Sequence, residues 1–288
     1  MGISGLNINA KVSGSWRNLT PYVKVNDQWQ PVRMQRVKQG GIWRGVYEYN
    51  FTYTFSAGEH TDIDLDTLAG LDKFHHVTVI ISANATLVAS STSTYALKTG
   101  SGYGGQLTII NYGKILGRGG NGGNGGSGNA RQGQNGHNGG PAMLIECPLR
   151  LLNYHVIAGG GGGGAGGGGA RDSDSFSGDE RAGGGGGGGG VPYGAAGNGG
   201  GSGAPGSAGT AATLTTAGTG GSGGFDEEGS YFSDGNARGG NGGSGGGSNA
   251  PANRATRASE GTYKGNPGNP GQPGAPLVNP NNFSISTQ

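Results

Sequence analysis

The chain has little of the side-chain chemistry on which ordinary globular proteins depend. Of its 288 residues, 12% are charged and 7% are aromatic, and Cys147 is the single cysteine. One cysteine excludes an internal disulfide framework, and we expect Cys147 to be a small buried apolar residue. Lysine and arginine together number 19 against 17 acidic residues, a formal net charge of +2. This balance argues against a nucleic-acid-binding protein.

Long apolar runs and targeting signals are also missing. No segment has the roughly 18 to 20 consecutive apolar residues that a bilayer-spanning helix needs. The opening residues, MGISGLNINA, show no basic region followed by an apolar run, and Leu6 stands where a myristoylation signal requires Ser or Thr. We therefore expect a protein made in a cytoplasm without an export signal of its own and without membrane insertion.

What the chain has in excess is glycine, with 71 residues. Glycine runs ordinarily indicate flexible linkers, but here they repeat in threes: RGGNGGNGGSG from Arg118, RGGNGGSGGG from Arg238 and GNPGNPGQPGAP from Gly265. Three residues per turn is the period of a polyproline-II-like helix, which has no internal hydrogen bonds. Glycine helices of this kind can approach closely and satisfy each other's backbone groups. The sequence therefore predicts a layered bundle of polyglycine-II rods.

The same pattern predicts how deeply each rod is buried. A rod covered on all sides must be glycine throughout, as at 159–164 and 183–190, whereas one exposed edge allows GGx and two allow Gxx. If each glycine segment is one rod, the loops 170–182 and 248–264 lie at one end and 225–237 at the other. A fold-back of 194–209 into two rods would change this parity, and the sequence leaves both arrangements open. The predicted connections are 129–132, 170–182, 191–193, 210–217, 225–237 and 248–264.

The first 55 residues contain a repeat built on tryptophan. Trp16, Trp29 and Trp43 are spaced 13 and 14 positions apart, each near a turn residue and followed by an aliphatic residue three positions later. This pattern predicts short antiparallel hairpins, and VYEYNFTYTF after them reads as a strand with one aromatic face. The aromatic residues either form a small core or meet a partner.

A second repeat links QLTIINYGKILGRGG from Gln106 to PLRLLNYHVIAGGG from Pro148, with the Asn-Tyr pairs 42 positions apart. An apolar run, a corner and a second apolar run are typical of one coil of a β-solenoid. We therefore expect a mostly irregular and β protein. Its predicted parts are an N-terminal hairpin region at 1–55, a β-solenoid-like region at 56–118, a polyglycine-II sandwich at 119–276 that includes a solenoid insert at 142–157, and a C-terminal tail at 277–288.

No pattern in the chain indicates catalysis. His75 and His76 are adjacent in HHVTVII and would point to opposite faces of a strand, so shared metal ligation is not expected. Asp62, Asp64 and Asp66 alternate and could share a strand face, but a solvated turn explains them better than a calcium or glycosidase site. We expect no enzyme activity, no metal site and no cofactor.

The glycine runs GGNGGNGGSG, GGGGGGAGGGGA and GNPGNPGQPGAP, interspersed with irregular loops behind a tryptophan repeat, resemble the receptor-recognising adhesins at the long tail fibre tips of T-even-type bacteriophages. The resemblance implies a polyglycine-II sandwich that presents variable loops to a porin-like outer-membrane protein of the host. It also implies that the N-terminal region docks one adhesin onto the trimeric distal fibre subunit, which would place the protein at the fibre tip of the virion. The docking residues would be Trp16, Tyr22, Trp29 and Trp43.

The resemblance places receptor recognition in the loops, without transferring individual contacts. The residues that we expect to contribute are Arg171, Asp172, Asp174, Phe176, Asp179, Tyr193, Leu214, Phe225, Asp226, Glu227, Tyr231, Phe232, Arg254, Arg257 and Tyr263. The alternatives are a structural glycine-rich fibre protein or a fibre-assembly factor without receptor binding. An enzyme that degrades host polysaccharide is the weakest alternative.

Overall fold

We analysed a computed structural model of the chain, which describes residues 9–12, 15–18, 22–25, 27–31, 34–39, 41–48, 50–71, 73, 75–174, 178–227 and 235–287. These residues form strands and irregular segments, with no helix among them. The strands are β1 (Asn9–Val12), β2 (Ser15–Asn18), β3 (Tyr22–Val25), β4 (Gln28–Pro31), β5 (Met34–Gln39), β6 (Ile42–Glu48), β7 (Asn50–Phe55), β8 (Gly58–Thr61), β9 (Ile63–Asp64), β10 (His76–Ile81), β11 (Ala85–Val88), β12 (Leu97–Lys98), β13 (Leu107–Asn111), β14 (Lys114–Leu116), β15 (Met143–Leu144), β16 (Leu149–Asn153), β17 (Val156–Ala158), β18 (Ala170–Asp174), β19 (Gly178–Ala182), β20 (Phe225–Glu227), β21 (Asn236–Arg238), β22 (Tyr263–Lys264), β23 (Leu277–Val278) and β24 (Ile285–Thr287).

The N-terminal region consists of three antiparallel hairpins, β1–β2, β3–β4 and β5–β6. The tryptophan repeat therefore marks hairpins, as predicted. Each tryptophan lies in the second strand of its hairpin, directly across from a lysine in the first. The three cross-strand pairs are Lys11 with Trp16, Lys24 with Trp29 and Lys38 with Trp43.

From Asn50 onward the chain winds through three parallel sheets in turn, forming a three-sided β-solenoid. The first sheet contains β7, β10, β13, β16 and β24, the second β8, β11, β14 and β17, and the third β9, β12, β15 and β23. VYEYNFTYTF was predicted to be one strand. It is divided between two strands: its first residues belong to the β5–β6 hairpin, and β7 pairs with β10 in the solenoid.

Alternate side chains along each strand point inward and fill the interior of the solenoid. On β10 and β13 the inward residues Val77, Val79, Ile81, Leu107 and Ile109 are fully buried, because parallel strands in register stack like residues. The repeat of 42 residues is the register between β13 and β16, which aligns Leu107 with Leu149 and Asn111 with Asn153.

The Asn-Tyr corner of that repeat is itself stacked between coils. Asn111 Nδ2 donates to Asn153 Oδ1 at 2.8 Å. The rings of Tyr112 and Tyr154 stack with centroids 5.1 Å apart. The corner therefore holds two successive coils together.

Two glycine-rich insertions extend from this solenoid. One lies between β14 and β15, and the other lies between β17 and β23, so β23 and β24 return to the solenoid at 277–287 rather than forming a separate tail. Ten segments without helix or strand assignment, here called rods, run through the insertions. They are rods 1 (118–128), 2 (133–140), 3 (159–169), 4 (183–190), 5 (194–200), 6 (204–210), 7 (218–224), 8 (239–246), 9 (250–258) and 10 (265–275).

Backbone hydrogen bonds join the rods at every third residue. Gly119, Gly122 and Gly125 of rod 1 donate to Pro192, Ala195 and Asn198, each at 2.8 Å, as rod 1 runs beside rod 5. Rod 3 is bonded on all sides, to rods 1, 2, 4, 8, 9 and 10, and rod 4 likewise to rods 1, 3, 5, 6, 7 and 8. The remaining eight rods surround this central pair.

Burial follows the predicted grading. Rods 3 and 4 are buried throughout, rod 1 exposes mainly its x positions, and rod 10 buries or half-buries only its glycines and prolines. The central glycines are required by space, because a Cβ on Gly163 would lie 1.9 Å from the carbonyl oxygen of Asn121. A rod also occurs where a loop was predicted: within 248–264, rod 9 turns Ala252, Ala255 and Ala258 inward in place of glycine.

At the edges of the bundle, side-chain oxygens add to the hydrogen bonds between rods. The Oδ1 atoms of Asn121 and Asn124 accept the backbone N–H groups of Ala195 and Asn198 at 2.9 and 2.8 Å. Asn135 and Asn138 do the same for rod 10, at 2.7 and 2.8 Å. These asparagines therefore supply side-chain acceptors to N–H groups of the adjacent rods 5 and 10.

Candidate recognition site

The structure determines which loops share an end of the bundle. Residues 194–209 fold back as rods 5 and 6, joined by a turn at 201–203. In consequence the hairpin β18–β19, the hairpin β20–β21 and the segment 259–264 all lie at the end of the rods away from the solenoid, here called the distal end. The alternative parity, with 225–237 at the opposite end, is wrong.

The distal elements pack into one unit. β22 pairs with β18 beside β19, and Ala182 bridges Ala204 at the turn between rods 5 and 6. Beneath the strands lies a layer of buried small residues, Ala170, Ala182, Ala237 and Ala258. Ala170, Ala182 and Ala237 lie close to the ends of rods 3, 4 and 8, and Ala258 is the last residue of rod 9, so small side chains continue the close packing of the rods up to the strands.

Charged side chains tie the distal elements together. The carboxylate of Asp179 accepts from Arg171 at 2.6 Å and from Arg181 at 2.8 Å. The hydrogen bonds and charges of Arg181 and Arg171 hold the pKa of Asp179 below its ordinary value. Asp226 Oδ2 accepts the backbone N–H of Arg181 at 3.0 Å, which joins the two hairpins.

Further contacts connect the segment 259–264. Thr262 donates to Asp172 through both its backbone N–H and its hydroxyl. Arg238 pairs with Glu260 at 3.4 Å and lies 4.5 Å from the ring centroid of Phe225. Asp172, Asp179 and Asp226 therefore hold the loops in place, rather than standing free for a partner.

Among the described residues of the distal end, the exposed aromatic side chains are Tyr263 and Phe225, which are 55% and 40% exposed. Glu227 and Lys264 are also exposed. Such aromatic side chains on a rigid scaffold are typical of binding surfaces. The distal end therefore presents aromatic groups beside charges of both signs.

Four of the predicted residues lie elsewhere. The Tyr193 hydroxyl donates to Glu59 at 2.6 Å, and Arg118 lies 5.1 Å from the Tyr193 ring centroid, at the solenoid end of the bundle. Leu214 packs at that same end against Val88, Leu116 and Ala158. Arg254 and Arg257 are exposed three residues apart along rod 9, on the side of the bundle. The structure does not bring Tyr193 and Leu214 together with the hairpin residues, whereas Arg257 directly precedes Ala258 of the layer beneath the distal strands.

Several predicted residues cannot be placed fully. Phe176, Tyr231 and Phe232 lie outside the described residues, and for Asp174, Trp16 and Trp43 the structure gives only the strand. Among the predicted docking residues, Trp29 is 68% exposed and Tyr22 is 58% exposed, and Val23 of the same hairpin and Ile42 of the next hairpin are also exposed.

Sequence reasoning missed several residues of the distal end. Arg181 and Arg238 were assigned to no role, although Arg181 pairs with Asp179 on β19 and Arg238 pairs with Glu260 of the segment 259–264. Glu180 lies across from Asp172 and is 8% exposed. The sequence signal that could have found Glu180, Arg181 and Arg238 was their position, because they lie beside the ends of glycine rods, where a hairpin must begin or end.

The candidate metal and catalytic residues have separate partners. Asp62 accepts from Ser90 and Thr94, Asp64 pairs with Lys98, and Asp66 pairs with Lys73. Within the described ranges, no group of three His, Cys, Asp or Glu side chains is arranged to hold a metal ion. Among the same residues, no helix is long and apolar enough to cross a bilayer.

A solenoid base that carries a close-packed bundle of glycine-rich rods, with two hairpins gathered at the far end, defines an architectural class of protein. Comparison with known families identifies the class: the profile of the phage tail fibre adhesin Gp38 family matches residues 50–287, the span from β7 to β24. The chain belongs to this family and is a phage tail fibre adhesin.

A chain in the crystal structure of the gp37-gp38 adhesin tip complex of the bacteriophage S16 long tail fiber is similar to this protein. The two chains are 23% identical, with a TM-score of 0.44 and coverage of 84% of this chain and 83% of the other. No curated protein sequence matches the chain.

Proposed function

We propose that this adhesin sits at the fibre tip of the virion and binds a host outer-membrane protein through its distal end. The observation that carries the proposal is the meeting of β18–β19, β20–β21 and 259–264 on one face, held together by Arg181, Asp226 and Asp172. A surface fixed in this way loses little conformational entropy on binding. Tyr263 and Phe225 are its aromatic anchors, and Glu227 and Lys264 supply charge complementarity.

The rigidity of that surface comes from the rods, which we assign as polyglycine-II helices. Hydrogen bonds that recur at every third residue, such as those of Gly119, Gly122 and Gly125, support three residues per turn. Ordering one residue costs about 1 to 2 kcal/mol, and one hydrogen bond contributes about 0.5 to 1.5 kcal/mol. A pair of rods would therefore be unstable, whereas the two central rods, bonded on every side, stabilise the bundle.

The N-terminal hairpins supply the attachment to the fibre. Their three lysine–tryptophan pairs occupy equivalent positions, so one adhesin can offer three similar surfaces to the three chains of a trimeric fibre subunit. Trp29 and Tyr22 are exposed as such contacts require. The functional divisions are then a docking region at 9–48, a solenoid at 50–116, 142–158 and 277–287, and rods with recognition loops between its strands.

Adsorption of phage carrying single substitutions tests the recognition proposal. Tyr263→Ala should reduce the adsorption rate about tenfold or more, the effect of losing an interface anchor. Tyr154→Ala is the matched control, because Tyr154 is 61% exposed but lies on the solenoid. A panel of isogenic hosts, each lacking one outer-membrane protein, should contain one strain that fails to adsorb wild-type phage.

Equal adsorption to all strains of the panel, with equal effects of Tyr263→Ala and Tyr154→Ala, would overturn the proposal. Docking is tested separately, by co-purification of the adhesin with the fibre subunit. Trp29→Ala should weaken co-purification and the triple variant at Trp16, Trp29 and Trp43 should abolish it, whereas Tyr154→Ala should leave it unchanged.

A further inference from the structure

A cleft on the solenoid lies apart from both the distal end and the docking hairpins. It has a volume of about 860 Å³ and is formed where the chain passes from the third sheet to the first in three successive coils. Its walls come from the connections β12–β13, β15–β16 and β23–β24. A volume of this size lies within the usual range of about 300 to 1,000 Å³ for small-ligand sites.

The floor of the cleft is aromatic and fixed in orientation. Tyr103 and Phe283 line it, both half-buried against the solenoid core. The Tyr103 hydroxyl donates to the backbone oxygen of Thr99 at 2.7 Å, and the Lys73 ammonium lies 4.9 Å from the ring centroid. Because the hydroxyl is already bonded within the protein, Tyr103 offers its ring to the cleft.

Polar groups from all three connections and from β24 line the cleft beside the aromatic residues. Glu146 is half-buried, and its Oε2 atom accepts the backbone N–H of Gly100 at 3.2 Å, which holds the carboxylate in the wall. Gln106, Ser284 and Ser286 line the same cleft and are exposed. The site therefore offers a charged acceptor, an amide and hydroxyl groups around an apolar floor.

We propose that this cleft binds a saccharide of the host cell surface, as a second recognition site separate from the distal end. A sugar ring matches the lining because its C–H faces pack on Tyr103 and Phe283, while its hydroxyls donate to the Glu146 carboxylate, a strong charge-assisted acceptor. A ligand with phosphate or carboxylate groups facing the wall would be repelled by Glu146. The sugar required is therefore neutral where it meets that side chain.

Purified full-length adhesin tests the proposal by saturation-transfer NMR and calorimetry. Two probes distinguish the sources of sugar: core oligosaccharide released from host lipopolysaccharide, and fragments of host capsular polysaccharide. One of the two should bind, and Glu146→Gln should weaken that binding about tenfold, equivalent to about 1.4 kcal/mol. Gln retains an acceptor for the N–H of Gly100, so this variant should keep the thermal stability of the wild type.

Ser286→Trp, which fills the cleft from β24, should abolish saccharide binding. A second pair of variants consists of Gln106→Ala and its matched control Gln272→Ala, since both glutamines are exposed but Gln272 lies on rod 10. Only Gln106→Ala should weaken the binding.

Absence of binding by both probes, or binding unchanged by Glu146→Gln and Ser286→Trp, would overturn the proposal. These readouts do not involve the distal end, so failure here leaves receptor recognition by Tyr263 and Phe225 untouched.

Discussion

The solenoid and the rod bundle both have buried interiors, but large apolar side chains fill one, whereas glycine backbone with a few alanines fills the other. In the solenoid, burial of side chains such as Val79 and Ile109 removes apolar surface from water, which stabilises the fold by about 1.5 to 3 kcal/mol for each fully buried side chain. In the bundle, rods 3 and 4 are buried among neighbouring rods and are held mainly by backbone hydrogen bonds. Both insertions begin and end on solenoid strands, so the side-chain core fixes the ends of rods that could not order themselves in isolation.

The comparison has a direct consequence for substitution by alanine. Alanine removes atoms from the solenoid and leaves cavities, whereas it adds an atom to the bundle where backbone already fills the space. The same residue should therefore destabilise the two regions by opposite mechanisms.

The largest effect is expected in the central rods. Gly163→Ala would place Cβ 1.9 Å from the oxygen and 2.4 Å from the carbonyl carbon of Asn121, neither of which is a flexible group. We expect a loss of more than the ~3 kcal/mol typical of overpacking, with failure of the bundle to fold. Calorimetry of thermal unfolding measures the change in stability.

Gly247→Ala is the matched control, because no atom lies within 4 Å of its added Cβ. Reduced freedom of the unfolded chain should leave this variant neutral or about 0.4 to 1 kcal/mol more stable. Equal melting temperatures for the two variants would contradict the close packing of the rods.

A smaller effect is expected in the solenoid. Ile109→Ala removes a fully buried side chain that lies in register between Val79 and Leu151. The expected loss is about 2 to 5 kcal/mol, from transfer and cavity terms together. Thr108→Ala on the outward face of the same strand should change stability by much less. Similar losses in urea unfolding for the two variants would show that the face assignment is incorrect.

A third prediction concerns the edge of the bundle, where side chains and backbone meet. Asn121→Ala leaves the N–H of Ala195 without its acceptor and should cost about 1 kcal/mol. Asn121→Asp keeps an acceptor oxygen and should retain most of the stability. Hydrogen exchange at Ala195 reports the bond directly, and unchanged protection in Asn121→Ala would exclude the proposed role of the GGN asparagines.

Local periods in the sequence were enough to predict much of this fold. The tryptophan repeat predicted the hairpins, the repeat of 42 residues predicted the register of β13 with β16, and the triplets predicted which rods are covered. Each of these signals lies within the segment that it describes. The alanine rod at 250–258 was missed because its inward positions carry Ala252, Ala255 and Ala258, which look like ordinary loop residues.

Long-range connections could not be predicted in this way. Nothing local to Met143 or Leu277 shows that β15 pairs with β23, with most of the rods lying between them. Nor does the composition of a loop reveal its end of the bundle. Tyr193 and Leu214 were grouped with the recognition residues because they are aromatic or apolar loop residues, but Tyr193 follows rod 4 where that rod returns to the solenoid, and the fold-back of 194–209 returns Leu214 to the same end.

The smallest expected effect is a pH dependence of the hairpin β18–β19 at the distal end. Arg181 and Arg171 lower the pKa of Asp179 relative to its ordinary value of 3.8. A folded-state pKa below the unfolded one contributes stability that is present above the unfolded value and is lost as the pH falls through the folded value. The hairpin β18–β19 should therefore loosen only below about pH 3.8, the ordinary Asp value from which this shift starts.

Hydrogen exchange measured separately for the two regions can detect that loosening. Protection in β18 and β19 should fall at low pH while the central rods, which carry no titrating side chains, stay protected. Asp179→Asn should remove the dependence and give the same hairpin protection at pH 3 and pH 7. A hairpin that loosens equally with and without Asp179 would assign the acid sensitivity to other carboxylates at the distal end. The protection of the central rods would still be independent of pH in that case.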